Sequence, residues 1–528
     1  MLFLCAAFLT AFFNACSESA LDADVEEQDE VTLFLEDESS SSVMYSSSKA
    51  KSSSSKKSST SKSSSSKVVV SSSSVKASSS SKTDSSSSSL KASSSSKTNS
   101  SSSSVKASSS SKTDSSSSSI NASSSSNAES SSSAMKYPES FKPDDAEYPY
   151  ADIPRIVIET EYRQAVKDRE TEIPAKLQIW GENSAQSEIL NLTIKGRGNT
   201  SWSMPKKGYK IEFSKKQSML GMPKDKDWAL IANYSDKTLL KNYLMYKLSA
   251  KLGAFYAPRC EFVELYLNGE YLGVYLLTET IKIAENRINM PKTSGSYIAE
   301  MKRNYRVGQQ VIFSHVLKQD SIGQPFRIHY PSAASEEELQ IIQEHIEIFE
   351  EYLKSVESQK DNEMAKWINI DEYIKNYWVQ EFSKNPDAGS YSSIYFTWEK
   401  GNVIKMGPVW DFDLSFGGHS NDDVNLTEKW HVKNGYWNKM VFKDSEMESL
   451  RRQYWNSNED IFYSTLNVVD SMYSFLQKSA GNNFKKWDIL QSVGPYFHRY
   501  AYSSYKEAID DLKRWINERI NWINKVVN

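Results

Sequence analysis

Two carboxylates, Asp411 and Asp413, stand in an otherwise apolar stretch, GPVWDFDLSFGG, at residues 407–418. Burying two bare carboxylates side by side is costly unless a cation or several hydrogen-bond donors meet them. In an extended backbone both aspartates point to one face, whereas Trp410 and Phe412 point to the other. Oxygen ligands at this spacing suit Mg²⁺ or Mn²⁺. A glycosidase also uses paired acids, but these flank a sugar from opposite sides, so the pattern favours a metal site.

A glycine-rich, basic segment at residues 195–213, KGRGNTSWSMPKKGYKIEF, offers the complementary charge. Gly196 and Gly198 permit close backbone approach. The cations of the segment are Arg197, Lys206, Lys207 and Lys210. Such a loop, running into a strand that carries a lysine, could cradle a polyphosphate. A solvated basic turn has the same composition, and the segment alone leaves both interpretations open.

Asp387 lies in SKNPDAGSYSSIYFTW, between a predicted helix and a predicted strand. An irregular segment held by a rigid scaffold is well suited to presenting a functional side chain. An aspartate after Pro386 is also a common turn former. The chain contains no G-x-S-x-G, H-E-x-x-H, Walker or dinucleotide-binding motif, which argues against the enzyme classes that those motifs mark.

The elements that must position these residues fall into two groups. Strands are predicted first, from the alternating or β-branched segments PRIVIET, AKLQIW, LNLTIKGRG and KKGYKIEF. Asn268-Gly269, between two apolar runs, predicts a hairpin with a type I′ turn. A helix, DKTLLKNYLMYKLSAKL, is predicted between these strands, with Leu240, Leu244 and Leu248 at a spacing of four.

The second half is predicted to be mainly helical. Ser335 and Glu338 form a capping box before one apolar stripe, and a second helix begins near Asp371. Two short strands, SSIYFTW and NVIKMGPVW, then lead into the paired aspartates. A strand-rich part followed by a helical part predicts an α+β protein with a cleft between two lobes.

The region before this folded part has a different composition. Residues 39–134 are mostly serine, and a 15-residue phrase, VKASSSSKTDSSSSS, recurs. One apolar residue in each phrase cannot bury a core, so the repeat predicts a flexible tether and not a solenoid. The predicted organisation is a signal segment at 1–16, an acidic and then serine-rich linker at 17–140, and a folded domain at 145–528.

The N-terminal run MLFLCAAFLTAFFNACSES has the length and apolarity of a signal peptide. Ala15, Cys16 and Ser17 resemble a bacterial lipoprotein processing site, with Cys16 as the lipidated residue. No Lys or Arg precedes Lys49, which departs from the usual signal, and a plain secretory signal or a cytosolic chain are the alternatives. The preferred prediction is an exported lipoprotein, held by its lipid anchor at the outer membrane or cell surface.

Cysteine content and charge exclude further classes. Only Cys260 remains in the predicted folded domain, which excludes a disulfide framework or a cysteine zinc cluster there, and we expect it to be packed in the core. The net charge of −4 gives no reason to expect a nucleic-acid partner.

The order of these parts is that of a protein kinase: phosphate loop, strand lysine, helix, hinge, catalytic loop, metal aspartate. The usual kinase signatures are absent, which excludes a standard kinase. The sequence resembles the CotH kinase family of spore-coat and cell-surface proteins, over about residues 200–418. The matching segments are RGNTSW, PKKGYKIEF, ANYSDKTLLKNYLMYKLS, VELYLNGEYLGVYLLTE, NPDAGSYSSIYFTW and GPVWDFDLSFG. Members of the family are similar to minimal, atypical protein kinases that bind ATP and Mg²⁺.

The resemblance implies an atypical protein-kinase-like fold of two lobes, with a strand-rich N-lobe and a helical C-lobe. It also implies a role for each site residue: Asp387 as catalytic acid/base, Asp411 as metal ligand, Asp413 assisting the metal, Arg197, Lys207 and Lys210 facing the phosphates, and Glu279 near the hinge and adenine. The chain departs from the kinase pattern in two places. Ser392 and Ser393 stand where a kinase loop has a metal-binding Asn, and the helix after Lys210 offers no obvious Glu to pair with it.

The function predicted from this resemblance is ATP-dependent phosphorylation of a Ser or Thr hydroxyl, with Mg²⁺ or Mn²⁺. The protein substrate is expected in the cell envelope or outside the cell. The alternative is a non-catalytic surface-binding, adhesion or scaffold module of the same family, which needs no supply of nucleotide. An enzyme acting on another substrate, such as a sugar, is the third possibility.

Overall fold

The computed structural model describes residues 135–528, except 359–362, 391, 420–421 and 495–498. The predictions for the signal segment, for Cys16 and for most of the linker lie outside these residues. None of the helices in the described part combines the length and apolarity needed to cross a bilayer. Ordered contacts begin before the predicted domain boundary at 145, since Phe141 is buried against the first sheet.

Seven strands of the N-terminal part close into a barrel, in the order β1-β2-β3-β4-β5-β7-β6. Neighbours are antiparallel except β1 and β6, which are parallel and close the barrel. The strands are β1 (Arg155–Thr160), β2 (Ile173–Trp180), β3 (Leu190–Arg197), β4 (Gly208–Gln217), β5 (Asp225–Ile231), β6 (Cys260–Leu267) and β7 (Glu270–Glu279).

The alternation seen in the sequence explains the barrel core. In β4, Tyr209, Ile211 and Phe213 are buried in that core, whereas Lys210 and Glu212 lie on the other face. The predicted hairpin joins β6 to β7, and both Asn268 and Gly269 have the positive φ of a type I′ turn, 53° and 83°. Cys260 is buried in β6, as predicted.

A second, five-stranded sheet has the order β12-β11-β8-β10-β9 and packs among the helices. Its strands are β8 (Ser296–Met301), β9 (Val311–Ser314), β10 (Gln324–Tyr330), β11 (Ile394–Glu399) and β12 (Lys405–Met406). The predicted strands SSIYFTW and NVIKMGPVW correspond to β11 and β12. Sequence analysis missed β8, β9 and β10, so the second half is less purely helical than we expected.

Nine α-helices complete the described part of the chain. They are α1 (Thr200–Ser203), α2 (Lys241–Lys251), α3 (Glu336–Ser355), α4 (Ile370–Phe382), α5 (Pro386–Ser390), α6 (Asp422–Asn425), α7 (Tyr436–Val441), α8 (Ser445–Lys486) and α9 (Tyr505–Val527). The capping box predicted at Ser335 is present in full, since its side chain accepts from the Glu338 N–H and that glutamate accepts from the Ser335 N–H.

The 42-residue helix α8 fastens the barrel to the helical part. Asn483 on α8 accepts hydrogen bonds from the Val274 N–H, at 3.1 Å, and from the Lys206 ammonium, at 2.9 Å. Gly273 permits this approach, because its φ is 93° and a Cβ there would lie 2.5 Å from the Asn483 oxygen. These contacts join the barrel to the helical part.

The α+β class is confirmed, and the strand-rich first part is confirmed with one difference. It is a closed barrel, which sequence periodicity did not reveal, because the parallel pairing of β1 with β6 joins segments about a hundred residues apart.

Candidate active site

A cavity of about 680 Å³ is lined by barrel strands, by the polar face of the second sheet and by the segment that carries the paired aspartates. Five of the predicted catalytic, nucleotide-binding and metal-binding residues line it: Arg197, Lys210, Asp387, Asp411 and Asp413. Nine Lys and Arg residues line the cavity, against four Asp and Glu residues. The cavity therefore combines a group of carboxylates with an excess of positive charge.

Asp387 lies in the first turn of α5, and Asn385 fixes its position. The Asn385 side-chain oxygen accepts a hydrogen bond from the Asp387 N–H at 3.2 Å. Its amide nitrogen donates to the Gln380 side chain at 2.8 Å and to the Asp411 carbonyl at 3.2 Å. One buried asparagine thus ties the loop of Asp387 to the segment of Asp411.

The segment with the paired aspartates is not the strand that we predicted. Asp411 has a φ of 68°, in the left-handed region, so strand alternation does not set its direction. The Phe412 N–H bonds to the Asn242 side chain on α2, at 2.9 Å, and not to a neighbouring strand. Trp410 and Phe412 are nevertheless buried, with Trp410 stacked on Tyr246 at 5.7 Å. The apolar anchor was therefore predicted correctly and the backbone conformation was not.

The acids of the cavity repel one another. Burial, together with the charges of Asp411 and Asp413, raises the pKa of Asp387 to about 7. Burial and the charge of Asp411 likewise raise the pKa of Asp413 to about 7. Asp413 accepts a short hydrogen bond from the Ser235 hydroxyl, and its carbonyl accepts one from the Lys241 ammonium at 3.2 Å.

This donor set fits a divalent cation that completes its coordination with phosphate and water oxygens. Mg²⁺ in phosphoryl-transfer sites typically takes one or two carboxylates and keeps the remaining positions for phosphates and water. Asp411 and Asp413 supply two carboxylates whose mutual repulsion a cation would relieve. Among the described residues there is no group of three or more His, Cys, Asp or Glu that would hold a metal by itself.

The basic segment contributes differently from what we expected. Lys210 lines the cavity, but its ammonium is 2.8 Å from Asp227 and 3.2 Å from Glu212. Arg197 stacks on Trp410, with its guanidinium carbon 4.8 Å from the ring centroid. Gly196 and Gly198 allow close packing within the basic segment itself, since a Cβ on Gly196 would collide with the Trp202 ring.

Two predicted nucleotide-binding residues are not brought to the cavity. Lys207 donates to the Trp202 carbonyl at 2.6 Å and does not line the cavity. Glu279, at the end of β7, is fully buried and accepts from Arg259 at 2.7 Å and from Arg287 at 2.6 Å. Tyr256 donates a further hydrogen bond to it, at 3.1 Å. The structure therefore gives Glu279 the role of a buried ion-pair partner at the end of the barrel.

Residues 194–523 match the family described as CotH kinase protein, which covers well over half of the chain. The chain belongs to the CotH kinase protein family. The match begins in β3 and ends in α9, so it contains every cavity residue named above. No protein of curated function matches the chain.

In this CotH family chain the second sheet supplies site residues that sequence analysis missed. Glu300 and Lys302, in and just after β8, form an ion pair at 3.0 Å, and His329 on β10 bonds to the other Glu300 oxygen at 2.7 Å. Burial opposes ionisation of Glu300, but the hydrogen bond from His329 and the charge of Lys302 outweigh it and lower its pKa to about 2. Arg327 and Tyr395 flank Glu300 on the neighbouring strands.

A signal for these residues was present in the sequence. In SYIAEMK the charged residues Glu300 and Lys302 are two apart within an apolar run, which is the spacing of one strand face. The same reasoning that singled out Asp411 and Asp413 would have found them.

Proposed function

We propose that this CotH family protein transfers the γ-phosphate of ATP to a Ser or Thr hydroxyl of a protein substrate. The observation that carries the proposal is the composition of one cavity, where three aspartates meet an excess of cations in a chain of this family. A nucleoside triphosphate needs positive charge along its phosphates and a metal held by carboxylates at their end. The volume of about 680 Å³ is in the range of small-molecule sites.

Each aspartate has a distinct task in this proposal. Asp387, fixed by Asn385, accepts the proton of the acceptor hydroxyl as the acceptor oxygen bonds to the γ-phosphorus and the bond from that phosphorus to the β–γ bridging oxygen breaks. Asp411 and Asp413 would hold Mg²⁺ or Mn²⁺, which would neutralise negative charge on the phosphates. Ser393 donates to Asp411, where a kinase loop would have an amide.

We also propose that the fold is a two-lobe, kinase-like arrangement in which the barrel takes the place of the N-lobe. The second sheet and the helices take the place of the C-lobe. The order of the parts supports this, because the basic loop lies in the barrel while Asp387 and Asp411 follow α4. A solved structure with bound nucleotide would test this arrangement. Adenine between the barrel and the helical part would support it, and adenine elsewhere would contradict it.

Export and lipid anchoring remain part of the proposal. They rest on the apolar N-terminal run that ends at Cys16 and on the serine-rich segment that follows. Cells grown with labelled palmitate should label the wild-type chain and not Cys16→Ala. Equal labelling of both would rule out Cys16 as the lipidated residue.

The functional test uses the full chain, ATP labelled at the γ-phosphate, and envelope or secreted proteins as acceptors. The wild type should bind ATP in a Mg²⁺- or Mn²⁺-dependent manner and transfer phosphate. In Asp411→Asn, ATP binding should no longer depend on the metal, and phosphate transfer should be lost. Asp488→Asn, at an exposed position outside the cavity, is the matched control and should behave as wild type. A wild-type chain that binds no nucleotide would favour the adhesion or scaffold alternative.

A further inference from the structure

Where the second sheet borders the cavity its face carries several charged side chains, although Ile298 and Tyr395 on the same face are part of the core. Tyr297, Ala299 and Met301 of β8 enter the core. Glu300 and Lys302 alternate with them and line the cavity instead. A sheet face with several buried or half-buried charges is costly to fold unless those charges are compensated by partners or by a ligand.

Lys302 is one of these charges. It is buried, with 8% of its side chain exposed, and its only partner among the described side chains is Glu300. Glu300 also accepts from His329, so its negative charge is divided between two partners. Burial and the charges of Asp411 and Asp413 raise the pKa of Asp387, and the charge of Lys302 acts against them. The ammonium is therefore close enough to influence the proposed catalytic carboxylate.

Arg327 is the second charge. It lies directly opposite Glu300 in the register of β10 with β8, and it lines the cavity. Glu300 is already bonded to Lys302 and His329, and within the described ranges the Arg327 guanidinium has no hydrogen bond or ion pair. A half-buried guanidinium without a partner, facing a cavity, is suited to a phosphate or carboxylate ligand.

Lys210, the cation expected from the sequence, contrasts with these two. Asp227 and Glu212 lie within 3.2 Å of its ammonium and compensate its charge. Lys282 contacts both Asp227 and Asp225, which places Lys210 in a network of five charges. A phosphate group would have to compete with two carboxylates for Lys210, whereas Arg327 has no such competitor in the described structure.

We infer that Lys302 and Arg327, on the second sheet, form the phosphate-binding subsite of the cavity, and that Lys210 does not. The inference rests on the proposed function for the identity of the ligand, but the subsite itself is a claim about oxyanion binding. Two sources share this chemistry: the phosphate chain of the nucleotide, and a phosphate already present on the protein substrate.

The test is calorimetric titration of the full chain with sodium tripolyphosphate and, separately, with MgATP. Arg327→Gln and Lys302→Gln should each weaken tripolyphosphate binding by about ten-fold or more, and Lys210→Gln by less than about three-fold. Arg327→Lys keeps the charge but loses the forked donor geometry. Its loss of tripolyphosphate affinity should therefore lie between that of Arg327→Gln and that of Lys210→Gln. Thermal unfolding of each variant checks that it is folded, and Arg327→Gln decides if Lys302→Gln does not fold.

The outcomes distinguish the phosphate subsite from the proposed function, and the nucleotide from the protein substrate as the source of the bound phosphate. Competition between tripolyphosphate and MgATP assigns the subsite to the nucleotide, whereas simultaneous binding assigns it to the acceptor. Unchanged tripolyphosphate binding in Arg327→Gln, or a larger loss in Lys210→Gln, overturns the inference and leaves the proposed function standing. If the wild type binds tripolyphosphate with the expected dependence but no nucleotide, the subsite stands and the proposed function fails.

Discussion

The hydroxyl of Ser393 donates a hydrogen bond to Oδ2 of Asp411 across 3.2 Å. Ser393 has a φ of 56°, so the turn before β11 is shaped to aim this side chain at the aspartate. In the proposed kinase-like arrangement, Ser392 and Ser393 stand where a kinase catalytic loop carries a metal-binding amide. The Ser393 hydroxyl therefore orients the Asp411 carboxylate.

Ser393→Ala should raise the Mg²⁺ concentration needed for half-maximal phosphate transfer by about three- to ten-fold, because Asp411 loses a donor that orients it. Stability should change by only about 1 kcal/mol, the usual net worth of one hydrogen bond. The measurement is transfer rate against Mg²⁺ concentration, with Ser457→Ala, at an exposed position on α8, as the control. An unchanged Mg²⁺ requirement would show that the bond is only structural.

Asn385→Ala should reduce the transfer rate more than it reduces ATP affinity. The substitution removes the acceptor that holds the Asp387 N–H and the donor to the Asp411 carbonyl. It leaves buried polar groups without partners, so the free energy of unfolding should fall by about 1–3 kcal/mol. Denaturant unfolding and transfer kinetics on the same samples provide the comparison. A loss of stability with an unchanged transfer rate would restrict Asn385 to a packing role.

Asp411→Asn should stabilise the metal-free protein at pH 8. The pKa values of Asp387 and Asp413 are raised to about 7 by burial and by the charge of Asp411, so between pH 4 and 7 the folded state binds more protons than the unfolded state. This contribution to stability is therefore present at low pH and is lost as the pH rises through 7.

Removing the Asp411 charge should lower both pKa values. The free energy of unfolding should then rise by about 1 kcal/mol at pH 8, which corresponds to roughly one pKa unit, and by less at pH 5. The measurement is the difference in unfolding free energy between variant and wild type, with EDTA at each pH. Addition of Mg²⁺ should make the wild type more stable than the variant at pH 8, because only the wild type keeps both carboxylates of the proposed metal site. A difference that does not depend on pH would contradict the proposed repulsion.

Glu279→Gln should destabilise the fold by about 3–5 kcal/mol, because it leaves the buried Arg287 without its carboxylate. It should leave the ratio of ATP affinity to GTP affinity at the wild-type value, since Glu279 does not line the cavity. Glu270→Gln, which removes a largely exposed partner of Lys486, is the control and should cost less than about 1 kcal/mol. A change in this ratio would support the role near adenine that sequence resemblance implies.

Local signals in the sequence predicted local structure well. Asn268-Gly269 specified its turn through the backbone freedom of two residues, and Ser335 specified a helix start through hydrogen bonds within one turn. The buried face of β4 followed from strict alternation. Each of these depends on residues close together in the chain.

Features that depend on distant segments were not predictable in this way. Barrel closure needs β1 beside β6, and the charged face needs Arg327 beside Glu300 across the pairing of β8 with β10, two strands that are not consecutive in the chain. Asp411 was read as part of a strand because its neighbours alternate, but the side chain of Asn242, on a separate helix, takes the Phe412 N–H. Tertiary contacts of this kind override local pattern.

In the proposed function Asp387 acts in the chemical step, while the rest of the cavity binds nucleotide and metal. The most direct measurement is single-turnover phosphate transfer from MgATP by full-length wild type and Asp387→Asn, with ATP affinity measured on the same samples. We predict that Asp387→Asn binds MgATP within about three-fold of wild type and transfers phosphate about 10²–10⁴-fold more slowly, the usual contribution of a general base. Transfer by Asp387→Asn at the wild-type rate would contradict the account.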